Sequence, residues 1–253
     1  MKKNVLITGA SKGIGAACAK QFAKSGRYNV IITGRDVEAL AKVEDYCKFW
    51  GAKVKTLCFD VRDFNKCKEA VASLKGRWAH IDVLINNAGL ALGLDKEYEA
   101  KPEEWDTMID TNIKGILNMT RLIVPKMVKY NSGDVINIGS LAGDYAYGGG
   151  GVYCATKAAV KALSDGLRID VANTGVRVTT IKPGLVETNF SVTRFHGDKA
   201  KADNVYKGIK PLRAKDIASL CLFCAAVVPA HIQIAEILVT PTHQANSFVV
   251  SRE

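Results

Sequence analysis

Tyr153 and Lys157 stand four residues apart in Val152-Tyr-Cys-Ala-Thr-Lys-Ala-Ala159. The alanines, valine and leucine that follow favour a helix, and on a helix this spacing stacks the two side chains on one face. A phenol titrates near pH 10 and is by itself a poor proton carrier at neutral pH. An adjacent ammonium favours the phenolate, and lowering the pKa by two or three units takes roughly 3–4 kcal/mol of interaction. Tyr153 would then serve as a general acid/base. A bare Y-x-x-x-K recurs by chance, and a solvated surface pair is its ordinary meaning, so the surrounding chain has to supply the context.

That context begins at the N-terminus. Lys3-Asn-Val-Leu-Ile-Thr8 is a short apolar run suited to a strand buried on both faces. It leads into Thr8-Gly-Ala-Ser-Lys-Gly-Ile-Gly15 and then an alanine-rich amphipathic stretch ended by Gly26. Strand, glycine turn and helix make a phosphate-binding unit, because glycines admit a pyrophosphate to the free N–H groups of a helix start. The second strand, Tyr28 to Thr33, is followed by Gly34-Arg35-Asp36. An arginine at this strand end suits a ribose 2′-phosphate, whereas an acid would take a 2′-hydroxyl. Arg35, with Lys12 in the glycine loop, therefore points to NADP, and Asp36 reads as the cap of the next helix.

Further strands are expected at 53–59, 81–85, 134–139, 176–181 and 236–240, with helices between them. This rhythm predicts right-handed βαβ crossovers in an α/β, single-domain Rossmann fold, a doubly wound parallel sheet of about seven strands with helices on both faces. The domain spans 1–253, with no linker or repeat. Asp60 and Val61 close the third strand, Asn86-Asn-Ala-Gly89 the fourth, and Ser140 the fifth. Ser140 faces the crevice where open α/β sheets bind ligands. Glu103 to Tyr130 reads as one long helical region with Asn112 inside it, an unfavourable place for a polar side chain without a purpose. Tyr145 to Gly151 reads as a flexible loop. The polar, weakly periodic stretch 187–210 is expected to be a loop acting as a substrate lid.

Composition narrows the function classes. With 253 residues, 48% hydrophobic and 24% charged, the chain is an ordinary globular protein with room for a core. Seven cysteines without a regular framework imply a reducing, cytoplasmic setting. Cys221 and Cys224 lie in a nearly all-apolar helix and read as core packing rather than a metal or redox pair. The four histidines form no ligand cluster, so no metal is expected. No segment approaches the length of a membrane span. The net charge of +10 is dispersed among acids, which suits a polyanionic cofactor or an acidic substrate better than nucleic acid.

Taken in order, Thr8-Gly-Ala-Ser-Lys-Gly-Ile-Gly15, Asn86-Asn-Ala-Gly89, Ser140, Tyr153-x-x-x-Lys157 and Pro183-Gly184 resemble the short-chain dehydrogenase/reductase family over essentially the full chain. The resemblance implies that Tyr153 exchanges a proton with the substrate oxygen, that Lys157 depresses its pKa and binds the nicotinamide ribose, and that Ser140 holds the substrate oxygen. It implies that Asn112 sits at a helix kink and positions a water linking Lys157 to solvent. The cofactor contacts it implies are Gly9, Ser11, Gly13, Ile14 and Gly15 in the cradle, Asp60 and Val61 at adenine, Asn86, Ala88 and Gly89 along the adenosine side, and Pro183, Gly184, Val186 and Thr188 at the carboxamide end. Asn86-Asn-Ala-Gly-Leu-Ala-Leu-Gly93, Met108-Ile-Asp-Thr-Asn112, Ile136-Asn-Ile-Gly-Ser140 and Thr193-Arg-Phe-His-Gly-Asp198 are similar to the NADP-dependent 3-hydroxy acid dehydrogenases, a branch acting on serine, allo-threonine and related acids. Gly151 departs from that branch and is expected to loosen the loop before Tyr153. A carboxylate substrate needs a cation, and Arg194 is the candidate because a guanidinium grips a carboxylate bidentately. His196 beside it reads as a surface residue. A ketone or aldehyde reductase without carboxylate specificity, and a non-catalytic NADPH sensor, are the alternative functions. The family's habit implies a homotetramer.

Overall fold

A continuous apolar strand must bury both faces, and β1 (Lys3–Ile7) does so. Val5 and Ile7 enter one core, with Phe22, Leu40 and Ile217, while Leu6 enters the other, with Met119, Ile123 and Val178. The computed structural model describes residues 2–252. Its main sheet is parallel and adds β2 (Tyr28–Gly34), β3 (Val54–Cys58), β4 (Val83–Asn86), β5 (Gly133–Ile138), β6 (Val176–Pro183) and, past a two-stranded excursion, β9 (Glu236–Val239). The order β3-β2-β1-β4-β5-β6-β9 reverses its winding between β1 and β4 and opens a crevice there. This is the doubly wound Rossmann arrangement of seven strands that the sequence predicts.

Helices α1 (Gly13–Lys24), α2 (Val37–Phe49) and α9 (Ala214–Ala226) cover one face; α3 (Phe64–Ala72), α5 (Gly115–Lys129) and α6 (Gly151–Asp170) cover the other. Asp36 caps α2 by accepting from the Ala39 N–H at 3.0 Å. Cys221 and Cys224 are buried in the core where α9 lies against α1 and the sheet, as expected of core side chains.

One expectation is sharpened and another changes. The long helical region is continuous but irregular: α4 (Pro102–Ile109) passes through a π-turn over Asp110–Lys114, the expected kink, directly into α5. Asn112 lies in that turn and is 1% exposed, so the kink accommodates a buried amide that a regular helix would not favour. The stretch 187–210 is not a structureless loop. It carries α7 (Phe190–Arg194) and α8 (Lys199–Asn204). Its ends are drawn together by β7 (Val186–Glu187) pairing with β8 (Leu212–Arg213), a two-stranded ladder too short for sequence periodicity to register.

Candidate active site

The crevice at the carboxyl ends of the strands widens into a cleft of about 620 Å³. Each of the first six strands contributes to its wall through the residues at or after its end: Gly9, Gly34, Asp60, Ala88, Ser140 and Gly184. The wall also includes Ser11, Lys12, Gly13 and Ile14 of the glycine loop, together with Arg35, Val61, Gly89, Pro183, Val186 and Thr188.

The glycine loop is shaped for an anion. Gly9 and Gly13 have φ of +63° and +57°, a region open to glycine and rarely used by other residues. A Cβ on Gly9 would meet Ala88 Cα at 2.9 Å. Helix α1 starts at Gly13 with no side-chain cap and no acid in its first turn, leaving its N–H groups and partial positive charge to the cleft. Thr33 and Thr111 also line this space, with their hydroxyls buried and without a hydrogen-bond partner among the described residues. A free helix start and a glycine cradle fit a phosphate-bearing cofactor.

Two predicted contacts belong beneath the cleft instead. Gly15 does not line it; its Cα lies so close to Gly9 O that any Cβ would overlap it. Asn86 is the last residue of β4, is 2% exposed, and donates to Asn137 Oδ1 at 2.9 Å inside the sheet. Its neighbour Asn87 reaches the cleft, and its side-chain amide holds the glycine loop through Thr8 O (2.9 Å) and Gly9 O (3.1 Å). Strand alternation decides between adjacent asparagines, and the sequence does not reveal which parity applies.

Beyond the glycine loop, Arg35 and Arg62 converge on Asp60. Arg62 grips it with Nε at 2.9 Å and Nη2 at 2.7 Å, whereas Arg35 Nη1 stands off at 3.5 Å. Burial works against the Asp60 charge, but the Arg62 hydrogen bonds and the Arg35 charge outweigh it and hold the carboxyl below its ordinary range. Arg35 is the more loosely tied cation, and its side chain is 61% exposed.

At the other end, β5 delivers Ser140 and α6 delivers Tyr153 and Lys157 to one wall. Tyr153 is 8% exposed and packs against Phe190 of α7 with ring centroids 5.6 Å apart. Burial pushes its phenol well above the ordinary 10; the Tyr147 phenol adds to the rise, while the Ser140 hydroxyl and the Arg194 charge oppose it. Lys157 is also buried, and its ammonium donates to Ile138 O at 2.9 Å, 5.9 Å from the Tyr153 ring centre. Desolvation lowers its pKa to about 8. Burial rather than Lys157 thus dominates the Tyr153 proton in this geometry, contrary to the expected depression. Asn112 stands behind: its amide protons go to Leu90 O (2.8 Å) and Thr156 Oγ1 (3.0 Å), and its oxygen accepts from Leu90 N (2.9 Å). It braces the β4 exit against α6.

Arg194 reaches this end of the cleft from α7. Its Nε donates to Gly93 O at 3.0 Å, its Nη1 donates to Tyr147 Oη at 2.7 Å, and its guanidinium carbon lies 5.9 Å from the Tyr153 ring centre. Among the described residues no carboxylate side chain pairs with it. His196 is exposed and pairs with Glu104 at 3.2 Å, outside the cleft wall. Within the Tyr145–Gly151 stretch, Tyr145, Ala146 and Gly148 are exposed, whereas two glycines are closely packed: a Cβ on Gly149 would strike Leu94 O, and one on Gly150 would strike the Tyr147 ring. Gly151 opens α6, and a Cβ there would meet Glu97 Oε2 at 3.3 Å.

Tyr153, Ser140 and the buried Lys157 thus share one cleft with the glycine loop and the free start of α1. The family model described as "short chain dehydrogenase" matches residues 3–199. The chain belongs to that family. It is 44% identical to the NADP-dependent 3-hydroxy acid dehydrogenase of Schizosaccharomyces pombe, covering 99% of this chain and 97% of that one. It is 46% identical to the enzyme of the same description from Salmonella typhi, covering 95% and 96%. Among solved structures it superposes with a TM-score of 0.93 and 42% identity on the closed form of serine dehydrogenase complexed with NADP+, covering 99% of both chains. With serine dehydrogenase from Escherichia coli the TM-score is 0.83 at 40% identity, covering 96% and 99%.

The sequence reading missed several wall residues of this short-chain dehydrogenase: Asn87, Thr33, Thr111, Tyr147, Phe190 and, from the C-terminal segment, Gln244. Gln244 accepts from Leu185 N at 2.8 Å and so fixes the Pro183-Gly184-Leu185 turn. No local pattern marks it, because the contact spans 59 residues.

Proposed function

We propose that the protein is an NADP(H)-dependent dehydrogenase of small 3-hydroxy acids such as serine, allo-threonine or 3-hydroxyisobutyrate. The carrying observation is Arg194: a partly buried guanidinium, without a carboxylate partner among the described residues, beside Tyr153 in the cleft. A cation left unpaired in such a place is poised for an anionic substrate group. The similarity to 3-hydroxy acid and serine dehydrogenases supports the same substrate class.

The bound nicotinamide supplies or accepts the hydride, and the protein supplies alignment and proton traffic. Gly9, Ser11, Gly13 and Ile14, with the start of α1, hold the pyrophosphate; Lys12 and Arg35 take the 2′-phosphate. Asp60 and Val61 flank adenine, Ala88 and Gly89 line the adenosine side, and Pro183, Gly184, Val186 and Thr188 hold the carboxamide end. Ser140 binds the substrate oxygen and aligns it with the Tyr153 hydroxyl. Tyr153, kept protonated by burial, donates to the carbonyl oxygen in reduction and recovers the proton in oxidation. Lys157 grips the nicotinamide ribose. Asn112 positions a water that links Lys157 to solvent. The segment 187–210 closes over the substrate as a lid. We further infer a homotetramer, supported by the exposed apolar side chains Leu117 and Val128 on α5 and Ile169 on α6; light scattering checks it. A cytoplasmic location is inferred from the cysteine-rich composition, and cell fractionation tests it.

The deciding experiment is a steady-state panel with NADP at alkaline pH. L-serine and 3-hydroxyisobutyrate should be oxidised with higher kcat/KM than 1-propanol and 2-propanol. Preference for the neutral alcohols would replace this reading with a carbonyl reductase, and no turnover of either class would favour an NADPH sensor.

A further inference from the structure

We propose that Tyr147 completes the carboxylate site with Arg194 and is a specificity-determining residue for acid substrates. The inference rests on the assignment of Arg194 to the substrate carboxylate and adds the group that makes this arginine effective. An arginine on a five-residue helix in a surface excursion has many rotamers, and a bidentate grip requires one of them. Here two side-chain contacts make the choice, on a backbone that a third holds in place. Gly93 and Arg194 are joined twice, through Gly93 N to Arg194 O at 3.0 Å and Arg194 Nε to Gly93 O at 3.0 Å. The second side-chain contact is Tyr147, whose hydroxyl accepts from Nη1 at 2.7 Å while the guanidinium lies 5.2 Å from its ring centre.

Tyr147 is itself held in place. Gly150 lets the ring lie against the start of α6, where any side chain at that position would collide with it. The hydroxyl already accepts from Arg194, so its own proton is free for an acceptor, and Cys154 in the adjoining buried cluster offers only a thiol, which is a weak one. Both Tyr147 and Arg194 line the cleft that contains Ser140 and Tyr153. A substrate carboxylate at the guanidinium therefore offers the Tyr147 O–H a charged acceptor in place of sulfur. Burial pushes the Tyr147 phenol up, with the Arg194 charge opposing, so the donor proton is retained through neutral pH. The carboxylate then receives a guanidinium and a phenol hydrogen bond, and a neutral alcohol receives neither.

The test is Tyr147→Phe, which keeps the ring over Arg194 and removes only the hydroxyl, compared with Arg194→Met. A hydrogen bond to a charged group predicts a rise of roughly 10- to 100-fold in the KM for L-serine with Tyr147→Phe. The inhibition constant of propionate, read without turnover, should rise by the same factor. The kcat for serine, the dissociation constant for NADPH and the kcat/KM for 1-propanol should stay within about twofold. If Arg194→Met weakens serine and propionate while Tyr147→Phe does not, Arg194 alone binds the carboxylate and the Tyr147 proposal is wrong. If neither variant changes them, the carboxylate assignment itself fails. A fall in kcat for serine and 1-propanol alike would place Tyr147 in proton transfer and also overturn the proposal. Should Tyr147→Phe be unstable, Tyr147→His retains a ring and a donor; it must then preserve the discrimination between serine and 1-propanol that Tyr147→Leu loses.

Discussion

Replacing Lys157 by methionine should make the cofactor-free protein more stable at pH 7 while destroying its function. Lys157 is 7% exposed, and burial lowers its pKa from 10.5 to about 8. At about 1.4 kcal/mol per pKa unit, this fall corresponds to roughly 3 kcal/mol for holding the ammonium out of water at pH 7. Methionine fills similar space without charge. It forfeits the bond to Ile138 O, for which about 1 kcal/mol is a fair allowance, leaving a net gain of about 2 kcal/mol. The pH dependence identifies the cause. Below pH 8 the lysine is protonated in both folded and unfolded chains, and the full penalty applies. Between 8 and 10.5 the folded protein binds fewer protons than the unfolded one, so wild-type stability rises with pH through this window. By pH 9.5 the penalty falls to about 1.4 kcal/mol, and the advantage of Lys157→Met should shrink by roughly 2 kcal/mol. Urea unfolding of both proteins from pH 7 to 9.5 measures the difference, in which other titrating groups largely cancel. An advantage that stays constant over this range, or a variant less stable than wild type at pH 7, would refute the reasoning.

Tyr153→Phe should lower kcat by at least roughly 10²–10⁴-fold while leaving the NADPH dissociation constant, read by fluorescence, nearly unchanged. Because burial raises the Tyr153 pKa, oxidation, which needs the phenolate, should gain rate as pH rises through the alkaline range, and reduction should not; pH profiles in both directions check the sign. Arg35→Asp should weaken NADP binding by roughly 10- to 100-fold and NAD binding far less, since Arg35 is the less tightly held of the two arginines at Asp60; a titration calorimeter reads both. Gly15→Ala should cost roughly 1–3 kcal/mol, because the added methyl overlaps Gly9 O, and should weaken cofactor binding through the displaced loop; denaturant unfolding and an NADPH titration report the two effects.

The parts of the molecule that local chemistry determines were legible before any coordinates. The strand–glycine–helix unit at Thr8–Gly15 and the seven strands follow from periodicity and turn residues; the family resemblance implied a shared site for Ser140, Tyr153 and Lys157, and these three and Arg194 line one cleft. What the sequence concealed depends on parity or on distant contacts. Asn86 and Asn87 differ only in which side of β4 they leave from, and the inner one became a sheet hydrogen bond while the outer one reached the cleft. Tyr147 lay in a glycine-rich stretch that reads as mobile, yet these glycines permit close packing against Leu94 and the tyrosine ring. The expected control of Tyr153 by Lys157 turned on burial and distance. In three dimensions both groups are desolvated, and the ammonium is committed to a backbone carbonyl.

The short ladder between Val186–Glu187 and Leu212–Arg213 has a consequence for how the family can diversify. It ties the entry and exit of the excursion carrying α7 and α8 to each other, and Arg213 leads directly into α9 on the sheet. The excursion is therefore a closed loop in the polymer sense. Doubling the length of such a loop costs only about 0.6 kcal/mol in closure entropy, and none of that cost falls on the parallel sheet. Extra residues inserted between α7 and α8 would therefore load neither the strands nor the positions that β5 and α6 give to Ser140, Tyr153 and Lys157.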